Sequence, residues 1–154
     1  KLPKQLEKDE FLTVIRLAPL VAIDLLIEND KNQILVALRR NPPAKGWWFV
    51  PGGRIYKNER IPEAFQRITL AEVGVSLRIE QTVFHGVFDH IYADNFAGVP
   101  GFGTHYVNLA YRVKFTPDLE KLPETQHSDY RWMDVETLLV SPEVHANMKA
   151  YFLV

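Results

Sequence analysis

The chain has 154 residues, 47% of them apolar and 24% charged, with a formal net charge of -1. This length and composition are ordinary for one globular domain with its own core, and a near-neutral charge predicts no general attraction to nucleic acid or anionic membrane. Without cysteine, neither a disulfide framework nor a thiolate site is expected. No apolar run approaches the roughly 20 residues needed to span a bilayer, and the first residues lack a signal-peptide core. We therefore expect a cytoplasmic protein that binds no membrane.

Apolar runs bounded by turn residues predict most of the secondary structure in chain order. The predicted strands are 20–28, 33–40, 47–50, 79–88, 106–115 and 129–133. Helices are predicted from near Pro62 to Gly74, over 134–140 and over 143–152, and residues 5–15 are a short polar-apolar lead-in. Long loops are predicted at 89–104 and 116–128, where function or mobility is common. This mixture predicts an α+β fold, an α/β/α sandwich with a mixed β-sheet between helices.

The helix that begins near Pro62 carries the clearest pattern. Pro suits the first helical turn, and Gly74 suits the position just after the last turn. Apolar side chains recur at helical spacing and predict the buried face: Ala64, Phe65, Ile68, Ala71 and Val75. On the exposed side, Glu63 and Arg67 are four residues apart and predict an ion pair.

Residues 53–75 resemble a Nudix box in which two carboxylates are missing. The positions that match the box are Gly53, Glu59, Arg67, Glu72, Gly74 and Val75. Ile68 and Ala71 replace glutamates, and Thr69 replaces an apolar residue. The resemblance implies a single Nudix domain over residues 1–154. It also implies a metal-dependent enzyme acting on a nucleoside diphosphate linked to another group.

The missing carboxylates bear on the chemistry. Carboxylates at 68, 71 and 72 would share one helix face and could hold several Mg²⁺ ions, which prefer oxygen ligands. Glu72 alone predicts a single-metal site, for Mg²⁺ with Mn²⁺ as a substitute. The loss also removes the means of activating a metal-bound water against phosphorus, so a base must come from elsewhere. Histidine suits that role because its pKa lies near neutrality. The candidates are His85, His90, His105, His127 and His145.

Several segments outside the box resemble GDP-mannose mannosyl hydrolases, a divergent group of Nudix enzymes. They include 18–21 with Asp24, 46–54, 86–96, 104–107, Gln126-His127, 130–132 and 144–147. The resemblance implies a homodimer that hydrolyses a GDP-sugar. Water attacks the anomeric carbon, GDP leaves, and the sugar is released with inverted configuration. The same geometry holds for inverting glycoside hydrolysis, where the base sits on the far face of the sugar.

Roles carried over from that family are specific to positions of this chain. The backbone carbonyl of Gly52, the carboxylate of Glu72 and the amide oxygen of Gln126 would bind the metal. His127, in the loop at 116–128, would be the general base. Arg39 and Arg54 would stabilise the leaving diphosphate, and Tyr106 would donate to it.

The sugar contacts are assigned in the same way. Asp24 and His90 would contact mannose, although the sugar could also be glucose or fucose. Asp24 also stands out by itself, because a carboxylate within an apolar strand is costly unless it is paired. Arg67 either contacts phosphate or orients the box. Phe11 is a candidate guanine contact from the N-terminal segment, within the chain or across a dimer. Trp47, Trp48 and Phe49 are expected in the core.

Two other functions fit parts of the pattern. A conventional Nudix pyrophosphohydrolase would attack phosphorus in a nucleotide sugar or nucleoside triphosphate, which the missing glutamates at 68 and 71 argue against. A non-catalytic nucleotide-sugar sensor would need no base, whereas His127 is retained together with Glu72 and Gln126.

Overall fold

The computed structural model describes residues 5–123 and 127–153, and within them the strands form one seven-stranded sheet. The strands are β1 (Leu20–Glu28), β2 (Gln33–Arg39), β3 (Trp48–Phe49), β4 (Gly52–Arg54), β5 (Val83–Tyr92), β6 (Thr104–Lys114) and β7 (His127–Asp134). Their order is β3-β2-β1-β6-β5, with β4 also paired to β1 and β7 to β2. β1 and β6 run parallel, whereas the other paired strands are antiparallel. The sheet is therefore mixed, as predicted.

Helices lie on both faces of this sheet. They are α1 (Lys8–Leu17), α2 (Ile61–Val73), α3 (Val135–Val140) and α4 (Ala146–Lys149), with short 3₁₀ turns at Ile79–Gln81, Leu119–Lys121 and Ala150–Phe152. α2 packs on one face with Ile23 and Leu25, and the C-terminal turns pack on the other face with Leu26. The α+β prediction, with a mixed sheet between helices, is confirmed. Among the described residues no helix is both long and apolar enough to cross a membrane.

β1 is the centre of the molecule because it is covered on both faces. Its residues from Ala22 to Ile27 are all buried, and only Val21 and Glu28 at its ends are less so. Burial on both faces explains why the strand reads as a continuous apolar run without alternation. It also places the one carboxylate in the run, Asp24, in the interior.

α2 ends as the sequence predicts, but its buried face differs in part. Gly74 follows the helix with φ 76°, a left-handed conformation that favours glycine. Ala71 and Val75 are exposed, so their assignment to the inner face was wrong. Thr69, Glu72 and Val73 are buried instead. Thr69 accepts from the Leu77 amide, Glu72 accepts from the Gly52 amide of β4, and Val73 belongs to the core on this face.

Thr69 is tolerated at an apolar position of the box because its hydroxyl is satisfied. It donates to the Gln66 carbonyl at 3.1 Å and accepts from the Leu77 amide at 2.9 Å. A buried hydroxyl with two partners carries little desolvation penalty. This side chain therefore fastens α2 to the segment that follows it.

Other boundaries differ from the predictions. Residues 8–17 form a helix where a lead-in was expected, with Ile15 on its buried side. β5 spans 83–92 rather than 79–88, because the first residues of the predicted strand form a 3₁₀ turn. β7 begins at His127 rather than 129. Residues 143–152 contain a short helix and a 3₁₀ turn rather than one helix. Trp47 is 38% exposed, so its assignment to the core was wrong, whereas Trp48 and Phe49 are buried.

The buried side chain of Asn95 makes several hydrogen bonds within the loop between β5 and β6. Asn95 donates to the carbonyls of Val99 and Phe102 and accepts from the amides of Ala97 and Val99, at 2.9–3.2 Å. A side-chain amide that satisfies four backbone groups gives a polar loop a defined path. Phe96 is consequently presented at a fixed place beside the N-terminal helix.

Candidate active site

A cleft of about 750 Å³ opens between α1, the paired strands β1 and β4, and the strands β5 and β6. Nine side chains or backbone positions predicted for the site line it: Phe11, Asp24, Arg39, Gly52, Arg54, Arg67, Glu72, His90 and Tyr106. They come from seven separate stretches of sequence that only the fold brings together. Their individual roles remain predictions.

Asp24 and Gly52 form the floor of the cleft. They are register partners across β1 and β4, so their side-chain positions lie on the same face of the sheet. A Cβ on Gly52 would overlap Asp24 Oδ1 and the carbonyl of Ile23. The glycine is therefore needed for close approach, and it leaves the Asp24 carboxylate directly beside the backbone of residue 52.

The surroundings of Asp24 raise the pKa of its carboxyl group. Burial raises the pKa of this carboxyl from its ordinary value of 3.8 to about 7. The hydrogen bond from Tyr151 and the positive charge of Arg39 oppose the rise, and the charge of Glu72 adds to it. Asp24 therefore changes charge near neutral pH unless a cation or a substrate donor lies beside it.

Glu72 reaches the same floor from the last turn of α2. Its side chain is buried, and Oε1 accepts from the Gly52 amide at 3.1 Å. Gly52 and Glu72 thus present a backbone carbonyl and a carboxylate in one small region, with the Asp24 carboxylate adjacent. These are oxygen donors only, which fits Mg²⁺ or Mn²⁺ and not a soft metal. The third predicted ligand, Gln126, lies outside the described residues.

The two replaced glutamates have different surroundings. Ile68 is 1% exposed, and its side chain lies against Gly53, where a Cβ would meet Cγ1 at 3.2 Å. Ala71 lines the cleft but has no ligand atom. Across residues 5–123 and 127–153, no group of three or more His, Asp or Glu side chains is arranged to hold a metal ion. Of the three box positions 68, 71 and 72, only Glu72 offers a carboxylate at this floor.

Arg67 has its hydrogen bonds directed to the box itself. Its guanidinium donates to both carboxylate oxygens of Glu59, at 2.7 and 2.9 Å, and to the Arg54 carbonyl at 2.8 Å. The hydrogen bond from Arg67 lowers the pKa of the Glu59 carboxyl. Glu63 instead accepts from the amide of Arg60 at the start of the helix, so the predicted Glu63–Arg67 pair was wrong. Glu63 acts as a cap here because the first backbone amides of a helix have no partner within the helix.

Arg54 lies between two aromatic rings on one wall of the cleft. Its guanidinium carbon is 4.7 Å from the centre of the Phe11 ring and 4.9 Å from that of Tyr56. Phe11 in turn stacks on Phe96 of the loop after β5, with centroids 5.3 Å apart. A guanidinium stacked on ring faces keeps its N–H groups in the plane between them, so they can bind an anion.

Arg39 stands at the opposite side, at the end of β2. Its Nε donates to the Pro43 carbonyl at 2.9 Å, which fixes the side chain against the loop that follows. Arg39 lines the cleft, whereas Arg40 is exposed and does not line it. The cleft therefore has a cationic side chain on two of its walls and carboxylates on its floor.

His90 and Tyr106 complete the lining from β5 and β6. Burial lowers the pKa of His90 to about 4, so its ring is neutral near pH 7. Its Nδ1 is hydrogen-bonded to the side-chain amide of Asn108 and lies 3.9 Å from Asp24 Oδ2. Burial also raises the pKa of Tyr106, which keeps its hydroxyl protonated as a donor.

Four residues around the cleft were not predicted from the sequence. Tyr92, Phe96 and Asn108 line it, and Tyr151 donates a hydrogen bond to Asp24 from behind. Asn108 could have been noticed, because it is a polar residue within an apolar strand, as Asp24 is. Tyr151 has no comparable sequence mark, since it is one aromatic residue in an apolar C-terminal segment.

The remaining histidines have other surroundings. His85 Nε2 is 2.6 Å from the Tyr151 carbonyl, His105 pairs with Asp89 at 2.9 Å, and His145 accepts from the Asn147 amide at the start of α4. His127 is the first residue of β7 and the register partner of Arg39, so the prediction that it lies in a loop was wrong. Its backbone is thereby placed beside a residue that lines the cleft.

This combination of a mixed sheet, a glycine-rich strand leading into α2 and a carboxylate in the last turn of α2 defines a Nudix domain. The NUDIX domain family model matches residues 18–153. The chain belongs to this family, and the expectation of a Nudix hydrolase is confirmed at that level. Nudix hydrolases generally use a divalent metal such as Mg²⁺ and act on small nucleotide substrates.

Two curated relatives are similar in sequence. The low-salt glycan biosynthesis protein Agl8 of Haloferax volcanii is 36% identical over 124 residues, which cover 80% of this chain and 76% of that protein. The ADP-ribose pyrophosphatase of Methanocaldococcus jannaschii is 39% identical over 64 residues, 42% of this chain and 37% of that protein. The second match is therefore confined to part of each protein.

Solved structures agree on the fold. A MutT Nudix hydrolase from Burkholderia pseudomallei is 27% identical, has a TM-score of 0.68 and covers 88% of this chain and 98% of its own. The MutT protein of Methanosarcina mazei Go1 has a TM-score of 0.69 at 20% identity, covering 87% and 91%. The Nudix domain of Shewanella oneidensis NrtR, complexed with ADP ribose, has a TM-score of 0.65 at 17% identity, covering 96% of each chain.

Proposed function

We propose that this protein hydrolyses a GDP-sugar, GDP-mannose being the first to test, to GDP and the free sugar, with inversion at the anomeric carbon. The observation that carries the proposal is the make-up of the cleft. Glu72 is the one carboxylate left at box positions 68, 71 and 72, and it lines the same cleft as Arg39 and Arg54. This arrangement suits a site that neutralises a leaving diphosphate better than one that activates a nucleophile against phosphorus.

The arginine side chains that line the cleft would bind the diphosphate of the leaving GDP. Arg54, stacked between two rings, and Arg39, fixed by the Pro43 carbonyl, offer N–H donors to the phosphate oxygens. Tyr106 donates its hydroxyl to the same group. The carbonyl of Gly52, the carboxylate of Glu72 and the amide of Gln126 would hold Mg²⁺. When bound, this ion would take up negative charge that develops on the diphosphate.

The sugar end is assigned to the floor. Asp24 offers Oδ1 as an acceptor for a sugar hydroxyl, and neutral His90 lies beside it. His127 is proposed as the general base that removes a proton from the attacking water. The oxygen of that water then bonds to the anomeric carbon while the carbon–oxygen bond to the β-phosphate breaks. The electron pair of that bond leaves with GDP, so no general acid is needed.

Three further features of the proposal come from the resemblance to GDP-mannose mannosyl hydrolases. One Mg²⁺ would bind at each site, Phe11 would contact the guanine base, and the protein would act as a homodimer. The relative named for glycan biosynthesis supports a substrate from sugar chemistry. Mannose, glucose and fucose remain alternatives for the sugar.

Cleavage at phosphorus is the second candidate, because the partial match to an ADP-ribose pyrophosphatase favours it. That chemistry would need a base for a water directed at phosphorus. The two box positions that would supply further carboxylates hold Ile68, which is buried, and Ala71, which is exposed. The floor therefore supports attack at carbon more readily than attack at phosphorus.

The deciding experiment is hydrolysis of GDP-mannose with Mg²⁺ in ¹⁸O-labelled water, followed by mass spectrometry of the products. Label in mannose and none in GDP is the expected result. Label in a phosphate product would mean attack at phosphorus and would overturn the proposal. If GDP-mannose is not hydrolysed, GDP-glucose and GDP-fucose are tested next. Inactivity toward all three, together with hydrolysis of ADP-ribose, would establish the second candidate.

A further inference from the structure

Tyr151 lies behind the cleft floor and is not among the residues that line the cleft. It belongs to the 3₁₀ turn at Ala150–Phe152, 127 residues away from Asp24 in sequence. Its side chain is fully buried, yet its hydroxyl donates a hydrogen bond to Asp24 Oδ2. A buried hydroxyl aimed at a buried carboxylate is a specific arrangement, because either group alone would carry a desolvation penalty.

The ring of Tyr151 is held firmly in place. Phe88 meets it edge-on with centroids 4.7 Å apart, and His90 lies 5.2 Å away. The Tyr151 carbonyl is 2.6 Å from His85 Nε2, which ties this turn to β5. The Tyr151 hydroxyl therefore has little freedom to move, and its hydrogen bond sets the orientation of the Asp24 carboxylate.

The consequence concerns the second carboxylate oxygen. With Oδ2 held from behind by Tyr151, Oδ1 lies on the side of Gly52, at the floor of the cleft. Asn108 faces the same region from β6 and holds Nδ1 of His90, the other group assigned to the sugar. The C-terminal turn thus fixes the direction in which the floor presents an acceptor.

We propose that Tyr151 is a positioning residue of the sugar subsite, which orients Asp24 so that Oδ1 accepts a hydrogen bond from a sugar hydroxyl. The inference rests on the proposed function, since it takes Asp24 to be the acceptor for the sugar. It extends that function because it makes the C-terminal turn part of the site. It also predicts that the hydroxyl of Tyr151 affects recognition of the sugar and not of the diphosphate.

Tyr151→Phe tests this, because it removes one oxygen atom and keeps the ring that packs on Phe88. Affinities for GDP and for GDP-mannose are measured by calorimetry with EDTA present, so that no turnover occurs. The affinity for GDP-mannose divided by the affinity for GDP reports the contribution of the sugar to binding. Loss of the hydrogen bond that orients Asp24 is expected to lower that ratio about tenfold, with GDP affinity unchanged. Tyr111→Phe, which alters a buried tyrosine on the α2 side of the sheet, is the matched control and should change neither.

A double-mutant cycle separates positioning from a general structural role. If Tyr151 acts through Asp24, adding Tyr151→Phe to Asp24→Asn should lower the affinity ratio no further. Equal losses for GDP and GDP-mannose, additive effects, or an unchanged ratio would each overturn the inference. These binding measurements do not depend on turnover. A wild-type protein that binds GDP-mannose more tightly than GDP but does not hydrolyse it would refute the proposed function. The effect of Tyr151→Phe on the affinity ratio would still decide the inference about Tyr151. Equal wild-type affinity for both ligands would overturn the inference directly.

Discussion

The carboxylate of Asp24 occupies the space that a side chain at Gly52 would need. The two residues are opposed across β1 and β4, so the missing Cβ at one position makes room for the charged group at the other. One strand pair thereby sets the backbone carbonyl of a predicted metal ligand beside a carboxylate assigned to the sugar. The contact links the two halves of the proposed site.

Gly52→Ala should disrupt this contact. The new methyl group would overlap the Asp24 side chain and the backbone carbonyl of Ile23. The Ile23 carbonyl cannot move away without disrupting the pairing of β1 with β4. We expect a loss of about 1–3 kcal/mol in unfolding free energy, measured by urea denaturation, and a large loss of activity. Gly53→Ala is the control, because its methyl group would meet the Ile68 side chain at 3.2 Å, a milder contact than the overlaps at Gly52. Equal stability of the two variants would contradict the prediction.

Glu72→Gln should separate metal binding from folding. The amide oxygen can still accept from the Gly52 amide, so the unfolding free energy should change by less than about 1 kcal/mol. Loss of the negative charge should raise the Mg²⁺ concentration needed for half-maximal activity by at least about tenfold. Glu63→Gln on the same helix is the control, since glutamine also serves a capping box. An unchanged Mg²⁺ requirement would exclude Glu72 as a ligand.

The pH dependence of stability should report on Asp24. Its pKa is raised to about 7 when folded, against 3.8 ordinarily, so the folded state holds the proton more tightly. The associated stabilisation is fully present below pH 3.8 and is lost as the pH rises through 7. It amounts to about 4 kcal/mol as an upper bound. With EDTA present, the unfolding free energy of the wild type relative to Asp24→Asn should fall between pH 4 and 8. A constant difference would show that Asp24 titrates normally.

Arg67 should act by holding the box rather than by binding phosphate. Both oxygens of Glu59 and the Arg54 carbonyl accept from it. Glu59→Gln should therefore reproduce much of the effect of Arg67→Gln, with each losing about 1–3 kcal/mol of unfolding free energy. Because pairing lowers the pKa of Glu59, this stabilisation is present above the ordinary pKa and lost as the pH falls through the lowered value. A large loss of GDP affinity in Arg67→Gln alone would favour phosphate binding instead.

His127→Gln tests the proposed base. Turnover of GDP-mannose should fall by roughly 10²–10⁴, whereas binding of GDP-mannose should remain nearly intact. His105→Gln is the control, because His105 is a partly exposed residue paired with Asp89. Turnover is measured at saturating substrate and Mg²⁺. A variant that retains the wild-type rate would remove His127 from the mechanism.

The sequence by itself determined the family, the position of α2 and the central apolar strand. These follow from local patterns, since helical spacing, Pro62 near the start and Gly74 at the end act over a few residues. The box also named Arg67 and Glu72 as candidates, and the resemblance outside the box named Gly52, before any geometry was known. α1 was missed although Phe11, Val14 and Ile15 recur at helical spacing, a pattern that could have predicted the helix; only Ile15 of these is fully buried.

The partners that these residues take depend on how the elements pack together. Arg67 pairs with Glu59 eight residues away and not with Glu63, because the start of α2 needs Glu63 to satisfy an unpaired amide. Asp24, Asn108 and Tyr151 meet behind the floor although they come from three distant segments. Helical and strand periodicities describe neighbours within an element, whereas contacts between β1, β6 and the last turn depend on how the sheet and its covering layers pack.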